Sequence, residues 1–152
     1  MRPPFTWLVR GVLAGGPHPE HSGGLSMLIY QLRSERIGAI LSVFERPLED
    51  GDLSRYKLRY LWQPTDDWMP PPDLGAACAF IDGSRAAGTG TLVHCLAGLG
   101  RTGTVLAAYL IHTGVCDSAE AAKQKVRREY DAGAVQSAEQ FEALEEFANR
   151  RR

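Results

Sequence analysis

The sequence predicts an α/β protein with a central, mostly parallel sheet flanked by helices and a helical C-terminal third. Segments with the pattern of strands alternate with segments of helical spacing over the first two thirds of the chain. The apolar runs 39–44 and 91–95 have the composition of parallel strands that are buried on both faces. No linker-like stretch divides the 152 residues, so we expect a single domain over 1–152.

The first elements are short strands and one helix. The segment 5–16 alternates loosely and ends at two glycines and a proline, which predicts one or two strands. Apolar residues at helical spacing predict a helix over 25–36, closed by Gly38. The first buried strand is followed by the polar segment 45–55, which has the composition of a loop, and renewed alternation predicts a strand over 56–62.

The middle of the chain contains a loop between two regular elements. The segment 63–73 is rich in proline and aspartate and predicts a loop. Helical spacing of apolar residues, with Pro72 just before it, predicts a helix over 73–87. A largely apolar helix over 102–113, ended by Gly114, follows the second buried strand.

Two capped helices complete the chain. The first begins at Asp117 or Ser118, and Asp117 with Glu120 resembles a capping box. The second begins at Ser137, where Ser137 and Gln140 have the spacing of another capping box.

Composition excludes several classes of function. The formal net charge of −1 gives no overall basic excess that would attract nucleic acid or an anionic membrane. No run of about 18 apolar residues exists, and Arg10 interrupts the N-terminal apolar run, so we expect neither a membrane span nor an export signal. Three cysteines, Cys78, Cys95 and Cys116, lack the spacing of a disulfide framework and favour reduced thiols in a cytoplasmic protein.

A glycine-rich turn between the second buried strand and the next helix predicts an anion site. Gly98, Gly100 and Gly103 allow the backbone to curl, so that several N–H groups point at one centre. The first N–H groups of a helix have no intrahelical partner, and the helix dipole adds positive potential there. Arg101 adds a planar guanidinium group that can donate hydrogen bonds to two oxygens of a phosphate group.

Cys95 lies at the base of this turn and is the candidate nucleophile. The positive potential that attracts a phosphate also stabilises a negatively charged sulfur, which could then attack phosphorus in line. We expect the ring of His94 to orient the loop by hydrogen bonds. We expect the Thr102 hydroxyl to bond to the sulfur and to help it leave in a second step.

Three other interpretations fit these residues less well. A cysteine that ends a buried strand is most often a small core residue, but this does not account for the glycines and Arg101 around it. The nucleotide-binding Walker pattern needs a Gly-Lys-Ser/Thr sequence that is absent here. Gly98, Gly100 and Gly103 match the dinucleotide pattern Gly-x-Gly-x-x-Gly, but that unit belongs nearer the start of a larger fold.

The stretch "HCLAGLGRTG" resembles a known signature, His-Cys-x-x-Gly-x-x-Arg-Thr-Gly. It is that of the cysteine-dependent protein tyrosine phosphatase superfamily. Chain length, the central cysteine, "FTWLVRGVLAGG" and "VQSAEQ" are similar to small atypical dual-specificity phosphatases. The resemblance implies a dual-specificity-phosphatase-like fold and a phosphomonoester hydrolase that needs no metal or cofactor.

The resemblance also implies roles for particular residues. Cys95 would form a phosphocysteine, and Arg101 would bind the phosphate oxygens. A general acid is expected in the loop "QPTDDWMPPPD", where Asp67 is favoured over Asp66 because an aromatic residue and then proline follow it. Gln140 would position water or line the site, in addition to its place in a capping box. The residues expected to bind the phosphate are Leu96, Ala97, Gly98, Leu99, Gly100 and Arg101.

Three more residues are expected close to this site. Glu45 and Arg46 follow the strand at 39–44 and therefore lie at the same edge of the sheet, but the sequence assigns them no role. Trp68 lies in the acidic loop. Its ring could pack against the ring of a substrate or fix the position of the loop, and the sequence does not distinguish these two roles.

The variable loop positions bear on the substrate. Leu96, Ala97 and Leu99 add no charge, whereas family members that act on phosphoinositides tend to carry lysines in this loop. We therefore expect phosphotyrosine proteins or simple aryl phosphates as substrates, and phosphate, sulfate or vanadate as anions of the site. The alternatives are a phosphatase of phosphoinositides or nucleotides, and a weakly active phosphate-binding module.

Overall fold

The computed structural model describes residues 4–151, and within them five strands form one sheet. The strands are β1 (Thr6–Val9), β2 (Leu13–Gly16), β3 (Ile37–Phe44), β4 (Arg59–Pro64) and β5 (Gly90–His94). Their order across the sheet is β1-β2-β5-β3-β4. Only β1 runs antiparallel to its neighbour, so the predicted mostly parallel sheet is confirmed.

Six α-helices and one short 3₁₀ helix, Pro19–Ser22, surround the sheet in the described part of the chain. The last three helices follow one another without an intervening strand, so the helical C-terminal third is confirmed. The helices are α1 (Leu25–Ser34), α2 (Asp50–Arg55), α3 (Leu74–Ala86), α4 (Gly100–His112), α5 (Ala119–Glu129) and α6 (Ala138–Arg150).

The sheet separates two hydrophobic cores. Because side chains alternate along a strand, Leu92 packs into the core beneath α1, whereas Val93 packs beneath α3 to α6. The second core surrounds α4, in which every residue from Gly100 to Ile111 is buried. Burial on all sides fixes the position of α4, and its N-terminus lies next to the carboxyl end of β5.

Three local predictions differ from the structure. The segment 45–55 contains α2, because Leu53 is buried in the core beneath α1 and this tertiary contact stabilises a six-residue helix. β4 begins three residues later than predicted and extends to Pro64, because pairing with β3 sets its register. Ser118, rather than Asp117, caps α5 by accepting a hydrogen bond from the Ala121 N–H.

The capping box at Ser137 and Gln140 is confirmed. Within residues 4–151, no helix combines the length and the apolar character that a membrane crossing requires.

Candidate active site

The signature residues lie at the carboxyl edge of the sheet. His94 is the last residue of β5 and is paired with Gly16 of β2 and Ser42 of β3. Cys95 follows directly, and five residues later the chain enters α4 at Gly100. The carboxyl ends of β2 and β3, the parallel strands on both sides of β5, therefore lie at the same edge of the sheet as the signature residues.

Gly98 allows the loop to curl tightly. Its φ of +78° lies in the left-handed region, and a Cβ atom there would lie 2.6 Å from the carbonyl carbon of Gly16. The Gly98 N–H donates a hydrogen bond to Cys95 Sγ at 3.3 Å. Any other residue at this position would therefore push the loop away from β2 and disturb the contact with the sulfur.

Three loop carbonyls are held by donors outside the loop. The carbonyl of Cys95 accepts from His94 Nδ1 at 3.0 Å, that of Leu96 from the His18 N–H at 2.9 Å, and that of Gly98 from the Tyr130 hydroxyl at 2.6 Å. In a planar trans peptide the C=O and N–H groups point in opposite directions. The N–H groups that follow these carbonyls therefore turn inward.

The inward side of the loop encloses a cavity of about 180 Å³. Cys95 lies at its base and is only 2% exposed. The cavity also meets the N-terminus of α4, whose N-cap residue Leu99 makes no side-chain cap. Its lining residues are Asp67, Trp68, Cys95, Leu96, Ala97, Leu99, Gly100, Arg101 and Gln136. Gly98, expected among the anion-binding residues, is not part of this lining and instead lines a cavity on the other side of the loop.

Arg101 is buried and held from several directions. Its Nη1 forms a salt bridge with Glu45 and donates to the carbonyl of Thr65 at 2.9 Å. Its Cζ lies 5.3 Å from the centroid of the Phe44 ring, a cation–π distance. Nη2 lies 3.6 Å from Asp67 Oδ1. These contacts fix the direction in which the guanidinium presents its donors.

The structure distinguishes the two loop aspartates. Asp67 lines the cavity and approaches Arg101, and its Oδ1 also accepts the Trp68 N–H at 3.0 Å. Asp66 is not part of the lining, and its carbonyl accepts the Met69 N–H in a turn. Asp67 therefore lies at the cavity and Asp66 does not, and the role of Asp67 as general acid stays a prediction.

The N-terminus of α6 holds the acidic loop in place. The Ser137 hydroxyl donates to the Trp68 carbonyl at 2.5 Å, and Gln140 Nε2 donates to the Met69 carbonyl at 3.3 Å. Gln140 Oε1 accepts from the N–H groups of Gln136 and Ser137. Gln140 is fully buried behind the cavity, so it supports the loop, and Gln136 is the glutamine that lines the site.

His94 is a neutral, fully buried histidine. Because a carbonyl can only accept, Nδ1 carries the proton that is donated to Cys95 O, and Nε2 accepts from the Ser42 hydroxyl at 2.5 Å. The Tyr60 hydroxyl in turn donates to Ser42 at 2.7 Å. Burial lowers the pKa of His94 to about 4 from the usual 6.5. The expected orienting contact to the loop is present.

Thr102 differs from the expectation. Its side chain is fully buried, and within residues 4–151 its hydroxyl has no hydrogen-bond partner, so the expected bond to Cys95 Sγ is not formed.

Four residues around the site were missed or left without a role by the sequence analysis. Glu45 and Phe44 contact Arg101, and the signal for both was their place at the end of a strand beside β5. Gln136 and Tyr130 come from the segment between α5 and α6, where no local pattern indicated a contact with the loop. In the described residues, no group of three or more His, Cys, Asp or Glu side chains is placed to hold a metal ion.

Comparison with known proteins identifies the family. Residues 26–150 match the model of the family described as dual specificity phosphatase, catalytic domain. The chain belongs to this family. The chain is 32% identical over 87 residues to the phosphatidylglycerophosphate phosphatase PTPMT2 of Arabidopsis thaliana, an alignment that covers 53% of the chain and 38% of the relative. It is 36% identical over 89 residues to dual specificity protein phosphatase 22 of Xenopus tropicalis, covering 55% and 39%.

The fold of the chain is also found among solved structures. The active form of Tk-PTP superposes with a TM-score of 0.82 at 27% identity, and the match covers 99% of both chains. The two curated relatives are longer, and the aligned part spans about two fifths of each of them.

Proposed function

We propose that this protein hydrolyses phosphomonoesters through a phosphocysteine intermediate on Cys95. The observation that carries the proposal is the position of Cys95 Sγ, at the base of a cavity where inward N–H groups, the N-terminus of α4 and Arg101 converge. A phosphate dianion in this cavity would have its phosphorus directly above the sulfur of Cys95.

The first step transfers the phosphoryl group to sulfur. The thiolate of Cys95 attacks phosphorus, an S–P bond forms, and the bond from phosphorus to the ester oxygen breaks. Asp67 donates its proton to the departing oxygen, which leaves as a neutral alcohol or phenol. The 3.6 Å between Asp67 Oδ1 and Arg101 Nη2 supports this role, because the proposed acid then lies close to the proposed phosphate-binding residue.

The second step regenerates the enzyme. The Asp67 carboxylate accepts a proton from water, the water oxygen attacks phosphorus, and the S–P bond breaks. Inorganic phosphate leaves and Cys95 returns to the thiolate form. Thr102 is proposed to assist this departure, which requires its buried hydroxyl to turn toward the sulfur as negative charge develops there.

Arg101 and the loop stabilise the charge that develops on the equatorial oxygens. Glu45 and Thr65 occupy Nη1, so the remaining donors of the guanidinium are directed to the phosphate. The neutral His94 holds the Cys95 carbonyl outward and keeps the following N–H group pointing at the anion. These donors are in place before the substrate arrives, so little reorganisation is needed.

The rim of the cavity favours a substrate with one phosphate on an aromatic or apolar group. Trp68 and Leu96 line the cavity, are 55% and 38% exposed, and offer apolar surface around its entrance. Arg101 is the only Lys or Arg among the lining residues, so a second phosphate would find no partner there. We therefore propose phosphotyrosine proteins and aryl phosphates as substrates.

A lipid phosphomonoester is the second candidate. One relative of this chain is named a phosphatidylglycerophosphate phosphatase, and an apolar rim could also contact the chains of a lipid. Glu45 and Asp67, whose carboxylates lie beside Arg101, would repel an anionic membrane surface, which favours the protein or aryl substrate.

The test is a substrate panel with a matched variant. Wild-type protein is compared with Cys95→Ser on p-nitrophenyl phosphate, phosphotyrosine peptides, phosphatidylglycerophosphate, phosphoinositides and nucleotides. We expect turnover of the aryl and phosphotyrosine substrates to exceed that of all others, and we expect Cys95→Ser to lose it while still binding vanadate. Variant activity above about a thousandth of wild type would exclude Cys95 as the nucleophile. Faster turnover of the lipids would favour the second candidate.

A further inference from the structure

The loop that binds the anion is supported from behind by a residue outside the signature. Tyr130, the C-cap residue of α5, extends its ring toward β2 and donates its hydroxyl to the carbonyl of Gly98 at 2.6 Å. A Cβ atom on Gly15 would lie 2.8 Å from the Tyr130 ring and hydroxyl, so this glycine leaves room for the tyrosine. The Tyr130 ring therefore occupies a position that a residue larger than glycine at position 15 would obstruct.

Tyr130 lies on the opposite side of the loop from Cys95. Together with Gly98 it lines a separate cavity of about 210 Å³ behind the loop, and neither residue lines the front cavity that contains the sulfur. The Gly98 carbonyl is therefore turned backward. Because C=O and N–H are antiparallel in a trans peptide, the N–H of Leu99 is turned forward, into the front cavity.

We propose that Tyr130 is a positioning residue for catalysis: its hydroxyl fixes the peptide between Gly98 and Leu99, so that the Leu99 N–H is aimed at the phosphate. This inference rests on the proposed function. The other two outward carbonyls of the loop are held by the His94 ring and by the backbone N–H of His18. The hydrogen bond from the Tyr130 hydroxyl is therefore the one that a conservative substitution, tyrosine to phenylalanine, removes. Burial, followed by the charge of Cys95, raises the pKa of Tyr130, which keeps the hydroxyl a donor throughout the working range.

The test compares Tyr130→Phe with Tyr109→Phe. Both variants lose one hydroxyl from a packed ring, but Tyr109 donates to Asp82 and lies nine residues along α4 from Gly100, about 13 Å at 1.5 Å per residue. We expect Tyr130→Phe to bind inorganic phosphate about tenfold more weakly by calorimetry and to lose about tenfold in kcat/KM for p-nitrophenyl phosphate. We expect Tyr109→Phe to lower the Tm and to leave both values within twofold of wild type.

A purely structural role would lower the Tm of Tyr130→Phe and leave phosphate affinity unchanged, and this result would overturn the proposal. Phosphate binding does not require turnover, so a wild-type protein without activity would refute the proposed function, and the affinities would still decide the role of Tyr130. If Tyr130→Phe fails to fold, the Leu99 amide of the wild-type protein provides the measurement by NMR. We expect its proton resonance to move downfield when phosphate is added, and an unchanged resonance would overturn the proposal.

Discussion

Replacing His94 by asparagine tests whether a neutral buried histidine supports the catalytic loop. The Asn amide can still donate to the Cys95 carbonyl, but it does not titrate. In the wild-type protein, burial lowers the pKa of His94 to about 4, whereas an unfolded chain has the usual 6.5. Between pH 6.5 and 4 the unfolded state therefore binds a proton that the folded state does not bind, and stability falls as the pH is lowered.

The size of the effect follows from the two pKa values. At about 1.4 kcal/mol per pKa unit, the difference between 6.5 and 4 corresponds to about 3 kcal/mol of unfolding free energy. His94 is fully buried, so solvent does not screen this contribution. The loss begins as the pH falls below about 6.5 and is complete near pH 4, below which folded and unfolded states are both protonated.

Urea unfolding at a series of pH values between 7.5 and 4 would measure this contribution. Protonation of Asp and Glu carboxylates also changes the unfolding free energy between pH 7.5 and 4, but it contributes equally in wild type and in His94→Asn. We expect the wild type to lose about 3 kcal/mol more than the variant between these limits. The exposed His21 provides a control, and His21→Asn is expected to follow the wild type. Parallel pH dependences for wild type and His94→Asn would refute the assignment of a neutral buried ring.

Two further predictions concern the acid loop and Arg101. Asp67→Asn is expected to lower kcat about 10²- to 10⁴-fold for alkyl phosphates and much less for p-nitrophenyl phosphate, because the p-nitrophenolate leaving group needs little protonation. Asp66→Asn is expected to lower kcat at most about tenfold. A greater loss of kcat in Asp66→Asn would reverse the assignment of the general acid. Glu45→Gln keeps an acceptor for Arg101 Nη1 but removes a negative charge beside the phosphate site. We therefore expect inorganic phosphate to inhibit the variant at about two- to fivefold lower concentration than the wild type at constant ionic strength. The effect is small because the Glu45 carboxylate is half-exposed and solvent screens part of its charge. A higher inhibition constant would show that the charge of Glu45 is needed to place the guanidinium.

Local patterns in the sequence determined the order of elements and the central feature of the site. Buried apolar runs predicted the strands beside the signature, and helical spacing predicted the long helices to within a few residues. The capping box at Ser137 was visible because its partners are three residues apart. The loop from Cys95 to Arg101 was equally visible, because glycine conformations and helix N-terminal N–H groups are properties of a contiguous segment.

Contacts between distant segments were decided only by the tertiary structure. Glu45 and Arg101 are 56 residues apart, and Tyr130 and Gly98 are 32 residues apart, so no periodicity could indicate that they meet. The same holds for α2, which is stabilised by the burial of Leu53 rather than by local propensity. Local sequence thus set the chemistry of the loop, because backbone conformation and capping depend on near neighbours. The packing of distant segments set the direction of each donor, because that direction depends on which partner the fold brings within hydrogen-bond distance.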